Sequence, residues 1–429
     1  MAGASLAFSV YDVHACLTRA RAAHRSVGLY DLVVVGAGIL GLATARELLS
    51  RRRGLGLAII EKEPRICAHQ SGHNSGVIHS GIYYAPGSLK ARLCVAGARE
   101  LYAYCERHGI PTERCGKVIV ATDSSELGRL QDLHERGRAN GVEGLEMIGP
   151  ERIREIEPHC SGIRALWSSC TGIVDYTLVA EQYAEEVLGA GGEVQTGREL
   201  RGLRLSDGHV VLETTAGEMK ARRVITCAGL YADRVARLSG GAREPRIVPF
   251  RGDYWQLRPQ ARHLCRNLIY PVPDPAFPFL GVHGTRRIGT GEVWLGPNAV
   301  LAMSREGYRR FDVRPRDLAQ AVFNRSFQRL VRKYWRMGAI EVWRDYSKRA
   351  FWRSVRRYLP DVTLDDMVPG PSGVRAQALD PSGALVDDFV VDQQGDRILH
   401  VRNAPSPAAT SSLAIGRLIA DTAEKVFGA

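Results

Sequence analysis

YDLVVVGAGILGLATARELLS, residues 30–50, decides how the rest of the chain is read. Residues 30–35 form a short apolar run with the look of a buried strand. Gly36-Ala37-Gly38-Ile39-Leu40-Gly41 follows at once, and the stretch through Ser50 has helical spacing. A second strand run, Leu55 to Ile60, ends at Glu61. Strand, glycine turn, helix, strand is the opening βαβ unit of a dinucleotide-binding fold. Gly36 permits the tight turn, Gly38 lets a pyrophosphate approach the backbone, and Gly41 lets the helix lie close on the strand. The helix N-terminus then meets the phosphates with its partial positive charge. Glu61 lies 20 residues after Gly41, where a carboxylate accepts ribose hydroxyls and disfavours a 2′-phosphate, so NADP is not expected.

NAD and FAD share this fingerprint. HQSGHNSGVIHSGIYY, residues 69–84, separates them, because it begins right after the ribose-binding strand and is rich in small residues. Such a segment lets extended backbone pass close to a flat ring system, which a plain NAD enzyme does not need. HVRNAPSPAAT, residues 400–410, opens a last helix whose N-terminus suits the negative charge of a reduced flavin. FAD is therefore the expected cofactor.

Around these segments the chain has 429 residues, enough for two or three units with large cores. No stretch reaches the roughly 20 apolar residues of a membrane-spanning helix. Lysine plus arginine is 58 against 46 acids, a net charge of +12 that suits nucleic acid, an anionic membrane or a small anionic substrate equally. Nine scattered cysteines without a CxxC pair read as reduced thiols and indicate no metal site. Residues 1–29 carry Arg19, Arg21 and Arg25 with Asp12 as the only acid, the composition of a mitochondrial transit segment. Between 329 and 357, ten basic residues interleave with Trp335, Trp343, Tyr346, Phe351 and Trp352, with Glu341 and Asp345 the only acids. That pattern suits an anionic membrane surface, or solvated helices with their aromatics in a core. No nucleic-acid motif accompanies it, and no nucleic-acid partner is expected.

Ordered blocks over most of the chain carry a resemblance. HNSGVIHSGIYY (73–84), TGIVDY (171–176), RIVPFRGDY (246–254), YPVPD (270–274), WLGPNAV (294–300), GPSGVRAQALD (370–380) and HVRNAPSPAATSS (400–412) resemble the FAD-dependent D-amino-acid-oxidase-like superfamily. Within it the chain looks like the dehydrogenases that oxidise L-2-hydroxyglutarate to 2-oxoglutarate. The resemblance implies an α/β two-domain flavoprotein, a Rossmann-like FAD-binding domain with an inserted β-rich substrate domain. Residues 30–110, 160–245 and 366–429 would form the first, and 111–159 and 246–365 the second, with its basic helical segment. It also implies hydride transfer from C2 to the flavin N5. Electrons would pass to a respiratory-chain quinone or an electron-transfer flavoprotein at the matrix side of the mitochondrial inner membrane. A related oxidase that uses oxygen is the alternative within the superfamily, and a non-catalytic flavin- or nucleic-acid-binding protein that uses only the fold and the basic face is the alternative outside it. Beyond Gly36, Gly38, Gly41 and Glu61, the implied cofactor contacts are Lys62, Gln70, Ser71, His73, Asn74, Ser75, Val194, Gly229, His400, Asn403, Ala404, Pro405 and Ser406. At 281–291 the chain departs from the family pattern, with Arg286 where a proline is expected and one extra residue, so the role of Arg287 stays open.

Oxidising a 2-hydroxy acid needs a carboxylate anchor and a base for the hydroxyl proton. Arginine offers a bidentate fork for carboxylates, which singles out Arg375 in Gly-Val-Arg and then Arg251 in Phe-Arg-Gly-Asp. Histidine has a pKa near working pH, which singles out His79, with His283 and His400 behind it. Tyr84, with Tyr83, can donate a hydrogen bond to substrate or pack as an aromatic.

Overall fold

The computed structural model describes residues 28–274 and 281–428, so the expected transit segment lies almost wholly outside the described residues. The glycine turn forms as expected: the Tyr30–Val35 strand runs into the Ile39–Arg51 helix, and the Leu57–Ile60 strand pairs in parallel with the first. Glu193–Gln195 extends the sheet on one side, and Gly217–Thr226 and Ile398–Asn403 extend it on the other, all in parallel. Parallel strands are buried on both faces, which is why they read as continuous apolar runs. One face carries the helices Ile39–Arg51, Leu89–Arg107, Tyr176–Gly189 and Ser412–Phe427, whose Leu42, Leu101, Val179, Tyr183 and Ile419 form one core with Val34 and Ile59. The antiparallel strands Leu200–Ser206 and His209–Thr214 cover part of the other face through Leu203, Val210 and Leu212.

A second sheet is nine-stranded. It runs from Val300–Leu301 through Arg246–Leu257, Val293–Gly296, His283–Arg286, Leu268–Pro271 and Lys117–Ala121 to Arg164–Ser168 and Leu145–Ile148, with Met367–Leu379 beside Arg246–Leu257. The Pro369-Gly370-Pro371 punctuation reads as a turn in the sequence, but it lies inside this long strand. Pairing tolerates it because the register shifts between Asp253 and Trp255, opposite the second proline, which has no amide hydrogen to donate. Hydrogen bonding therefore puts Arg164–Ser168 and Met367–Leu379 in the second sheet, whereas the expected boundaries gave both to the dinucleotide half.

Period-two alternation divides this sheet's faces. Val118, Val120, Ile269, Val293 and Leu295 turn one way and meet Phe351, Val355 and Tyr358. Lys117, Ile119, Tyr270, His283 and Thr285 turn the other way, toward Val77, Ile82 and Tyr83 of the segment that follows the ribose strand. The basic stretch and the residues before it fold as Pro315–Val322, Arg325–Tyr346 with a kink at Tyr334, and Lys348–Val355.

Where the Ser412–Phe427 and Ile39–Arg51 helices cross, a Cβ built on Gly416 would lie 2.9 Å from the Ala43 carbonyl oxygen. Gly416→Val should overpack the contact and cost about 1–3 kcal/mol or more. A thermal melt followed by tryptophan fluorescence should show a lower midpoint than the parent.

Candidate functional site

At the glycine turn Gly36 has φ +107°, and a Cβ there would sit 2.5 Å from the Cys227 carbonyl oxygen. A Cβ on Gly41 would sit 2.0 Å from the Gly36 oxygen, so both positions require glycine. The Ile39–Arg51 helix starts at Gly38 without a side-chain cap from that residue. Ser71 Oγ accepts the Ile39 amide at 3.0 Å, and no side chain among the described residues takes the amides of Leu40 or Gly41. A helix end so arranged offers donors and partial positive charge to an anion. Glu61 is held at the same turn, its Oε2 accepting the Ala37 amide at 2.9 Å and its Oε1 the Glu63 amide at 3.0 Å. Each oxygen keeps a lone pair for a hydroxyl.

The segment after the ribose strand is fixed by its own polar residues. Gln70 Oε1 accepts the Ala376 amide at 2.7 Å, and its side chain lies beside Gly229. Asn74 Nδ2 donates to the Ser71 carbonyl at 2.6 Å while its Oδ1 accepts the Gly76 amide at 2.9 Å, and Ser75 lies between these anchors. His73 stacks on Tyr308 at 4.1 Å, and Val194 pairs with Ile59 at the far edge of the ribose strand. Asn403 donates to the Val386 and Asp388 carbonyls, both at 2.8 Å, which sets the course of Ala404, Pro405 and Ser406 toward the last helix.

Two expected cofactor contacts are engaged elsewhere. The Lys62 ammonium is bound by Glu63 and Glu306 and lies 3.0 Å from His69 Nε2. It fills the one group of three potential metal ligands among the described residues, Glu63, His69 and Glu306. His400 is buried with Nδ1 2.8 Å from Thr226 Oγ1, and with Nε2 3.1 Å from Ser239 Oγ and 3.0 Å from Gln394 Oε1. Burial and the Arg402 charge bring its pKa down to about 4. Both nitrogens are taken, so His400 ties the sheet to its neighbours and is not placed to serve as base.

Arg251 is likewise committed. Its Nε donates to Asp253 at 2.9 Å and its Nη2 to Asp345 at 3.3 Å, and Nη1 reaches the Arg309 and Arg310 carbonyls. The expectation of a second substrate arginine there gives way to a buried ion-pair network. Arg375 differs: among the described residues its one polar contact is a long one, 3.4 Å, to the Asn298 carbonyl, and no carboxylate pairs with it. Its charge acts on Tyr254, Tyr270 and His283.

His283 stacks on Tyr270 at 3.9 Å, and its Nδ1 lies 2.8 Å from the Gly281 carbonyl oxygen. Burial, with the Lys117 and Arg375 charges adding to it, brings its pKa to about 3. His79 has its amide on Thr410 Oγ1 at 3.1 Å, but its ring Nδ1 is enclosed without a partner. Burial, then the charges of Lys117, His283 and Lys90, hold its pKa well below the ordinary histidine value. The Tyr83 hydroxyl is also enclosed without a partner. Tyr84 packs under Lys90, 5.3 Å from ring centre to ammonium. Buried polar atoms usually find a partner, so the His79 Nδ1 and the Tyr83 hydroxyl are unsatisfied within the protein itself.

Sequence reasoning missed Lys117, Tyr254 and Tyr270 in this group. Only the pairing of five strands, from Arg246–Leu257 to Lys117–Ala121, places them on one sheet face. The role of Arg287, open in the sequence, is a bridge: Nη1 donates to the Asn74 carbonyl at 3.1 Å and the guanidinium lies 4.3 Å over Trp294. It joins the second sheet to the segment beside the glycine turn.

Known proteins resemble this chain along most of its length. The profile of the FAD dependent oxidoreductase family, DAO, matches residues 31–422. A mitochondrial L-2-hydroxyglutarate dehydrogenase from Nematostella vectensis is 52% identical over 93% of this chain and 91% of its own. The human mitochondrial protein of that name is 49% identical over 94% and 90%. A bacterial one from Indibacter alkaliphilus is 44% identical over 93% and 100%. Among solved structures, the dithionite-reduced L-alpha-glycerophosphate oxidase of Mycoplasma pneumoniae, with FAD bound, superposes with TM-score 0.75 at 21% identity, covering 94% of this chain and 95% of that one. Glycine oxidase from Geobacillus kaustophilus follows with TM-score 0.69 at 19% identity over 93% and 95%. Glycine turn, parallel sheet and relatives converge: the chain is an enzyme of the FAD-dependent oxidoreductase family and belongs with its L-2-hydroxyglutarate dehydrogenases.

Proposed function

We propose that this enzyme oxidises L-2-hydroxyglutarate to 2-oxoglutarate and hands the electrons to an acceptor other than NAD. The observation that carries this is Arg375, a cation without a carboxylate, grouped with two imidazoles and aromatic rings beside the segment that follows the ribose strand. The names of the relatives supply the substrate.

Gly36, Gly38, Gly41, Glu61 and Ser71 would hold the pyrophosphate and ribose of FAD, and residues 70–79 and 403–406 would flank its ring. Bound there, FAD supplies a hydride acceptor. The protein's own residues do the rest. Arg375 grips the carboxylate next to C2 with two parallel N–H bonds and so fixes which face of C2 is presented. His79 takes the hydroxyl proton on Nε2, the ring nitrogen that the protein does not enclose. It is neutral at physiological pH because burial and neighbouring cations disfavour its charged form. His283 keeps Nδ1 on a carbonyl and positions Tyr270 by stacking.

We also infer mitochondrial residence and a peripheral hold on a membrane. The animal relatives are named mitochondrial, and no described helix is long and apolar enough to cross a membrane. On the basic stretch Trp335 is 58% exposed and Trp343 64%, with Phe311 at 76% and Phe323 at 77% on the residues before it, while Phe351 is buried. Aromatics exposed among arginines suit an anionic bilayer surface, with electrons leaving to a quinone there or to an electron-transfer flavoprotein. Arg357 contributes less to such a face, since it is paired with Glu126 at 2.6 Å.

Anaerobic mixing with L-2-hydroxyglutarate should bleach the flavin of the purified enzyme, and the D-isomer should not. No bleaching by the L-isomer would refute the assignment. Arg375→Ala should lower kcat/KM by the equivalent of about 2–5 kcal/mol, and Arg375→Lys should restore part of it.

Because the His79 pKa is lowered, its base form is present at neutral pH and is lost only as pH falls through that lowered value. The acid limb of kcat/KM should therefore lie below the ordinary histidine range. His79→Gln should depress the rate and abolish that limb.

Replacing Phe323, Trp335 and Trp343 with serine should weaken sedimentation with cardiolipin-rich vesicles while dye-linked turnover persists. Equal sedimentation of variant and parent would exclude the membrane face.

A further inference from the structure

Lys117 begins the Lys117–Ala121 strand and is only 1% exposed. Among the described residues no carboxylate pairs with its ammonium. Its Nζ lies 4.4 Å from the Tyr270 ring centre and 5.3 Å from that of Tyr83, and the remaining groups acting on it are the thiols of Cys94, Cys115 and Cys170. A buried cation without an anion is costly, and aromatic faces return only part of that cost. The other buried cations among the described residues have acids beside them: Arg251 has Asp253 and Asp345, Arg305 has Asp233 and Arg402 has Asp392. Lys117 has none, and neither does the half-buried Arg375. They act on the same His283 ring from different strands of one sheet face, and Lys117 acts on His79 as well.

Two cations left without acids around one pair of imidazoles fit a ligand with two carboxylates. We propose that Lys117 binds the distal carboxylate of the substrate while Arg375 holds the one beside the reacting carbon, so that Lys117 sets the preference for dicarboxylic over monocarboxylic 2-hydroxy acids. This rests on the reading of the site given above. A lysine suits the distal end, where a point charge on a flexible stem suffices. The carboxylate beside C2 needs the planar fork.

The test compares the FAD-loaded parent with Lys117→Met and Lys117→Arg on L-2-hydroxyglutarate and on L-2-hydroxybutyrate, which keeps C2 and its carboxylate but lacks the distal one. Lys117→Met should lose about 30- to 1,000-fold in kcat/KM for the dicarboxylate, chiefly through KM, and change by less than about threefold for the monocarboxylate. Lys117→Arg should keep most of the preference. Equal losses on both substrates would overturn the proposal, because a lysine that only tunes His79 acts on both alike. Binding of glutarate, followed by the absorbance of the oxidised flavin, tests the same contact without turnover. The parent should bind glutarate more tightly than butyrate, and Lys117→Met or, should that variant not fold, Lys117→Gln should lose the difference. Unchanged glutarate binding would also overturn it. If L-2-hydroxyglutarate fails to reduce the parent, the assigned reaction falls, and glutarate binding still decides the role of Lys117.

Discussion

The antiparallel pairing of Arg246–Leu257 with Met367–Leu379 is the constraint on which the site depends. It sets Phe250 opposite Arg375 and Arg251 opposite Val374, so it decides which arginine turns toward which face. A slip of one residue would send Arg375 to the other side of the sheet and with it the anchor for a carboxylate. The same strand binds the two halves of the molecule, since the Ala376 amide is held by Gln70, in the segment that follows the ribose strand.

Charge is distributed on one principle across this sheet. Where a guanidinium has a structural task, acids neutralise it: Asp253 and Asp345 share Arg251, and Asn298 donates to Asp345 at 2.6 Å to complete the network. On the face that carries Lys117 and Arg375, no carboxylate pairs with either cation among the described residues. Binding sites store electrostatic free energy in this way, because the field that attracts an anion is already in place before the anion arrives.

Much of this was legible in the sequence because local rules governed it. The glycine turn, Glu61 and the parallel strands follow from spacing and apolar runs, while Arg375 and His79 stood out only as candidates, through glycine-flanked motifs. The Met367–Leu379 strand was hidden because Pro369, Gly370 and Pro371 carry turn chemistry, and only a partner with a shifted register makes them extended. Lys117 was hidden because a lysine at the start of an apolar strand reads as an edge residue reaching for water. Its burial comes from Tyr83 and Tyr270, which reach it through tertiary packing. His400 was misread for the opposite reason: it sits beside flavin-type sequence, but Thr226, Ser239 and Gln394 are folded around it from elsewhere. The exposure of Trp335 and Trp343 could not be read either, since core and surface aromatics share the same helical spacing.

The crossing of the Ile39–Arg51 and Ser412–Phe427 helices has a kinetic consequence. These neighbours are separated by about 360 residues of chain, and the whole second sheet is strung between them. Closing such a loop costs entropy that no early local contact repays, so the first βαβ unit waits with an apolar helix face uncovered until distant sequence arrives. Folding by successive independent domains is closed to this topology. The expected path is slow and cooperative, with exposed Leu42 and Leu49 surfaces as the points at which chaperones or aggregation would compete for the half-made chain.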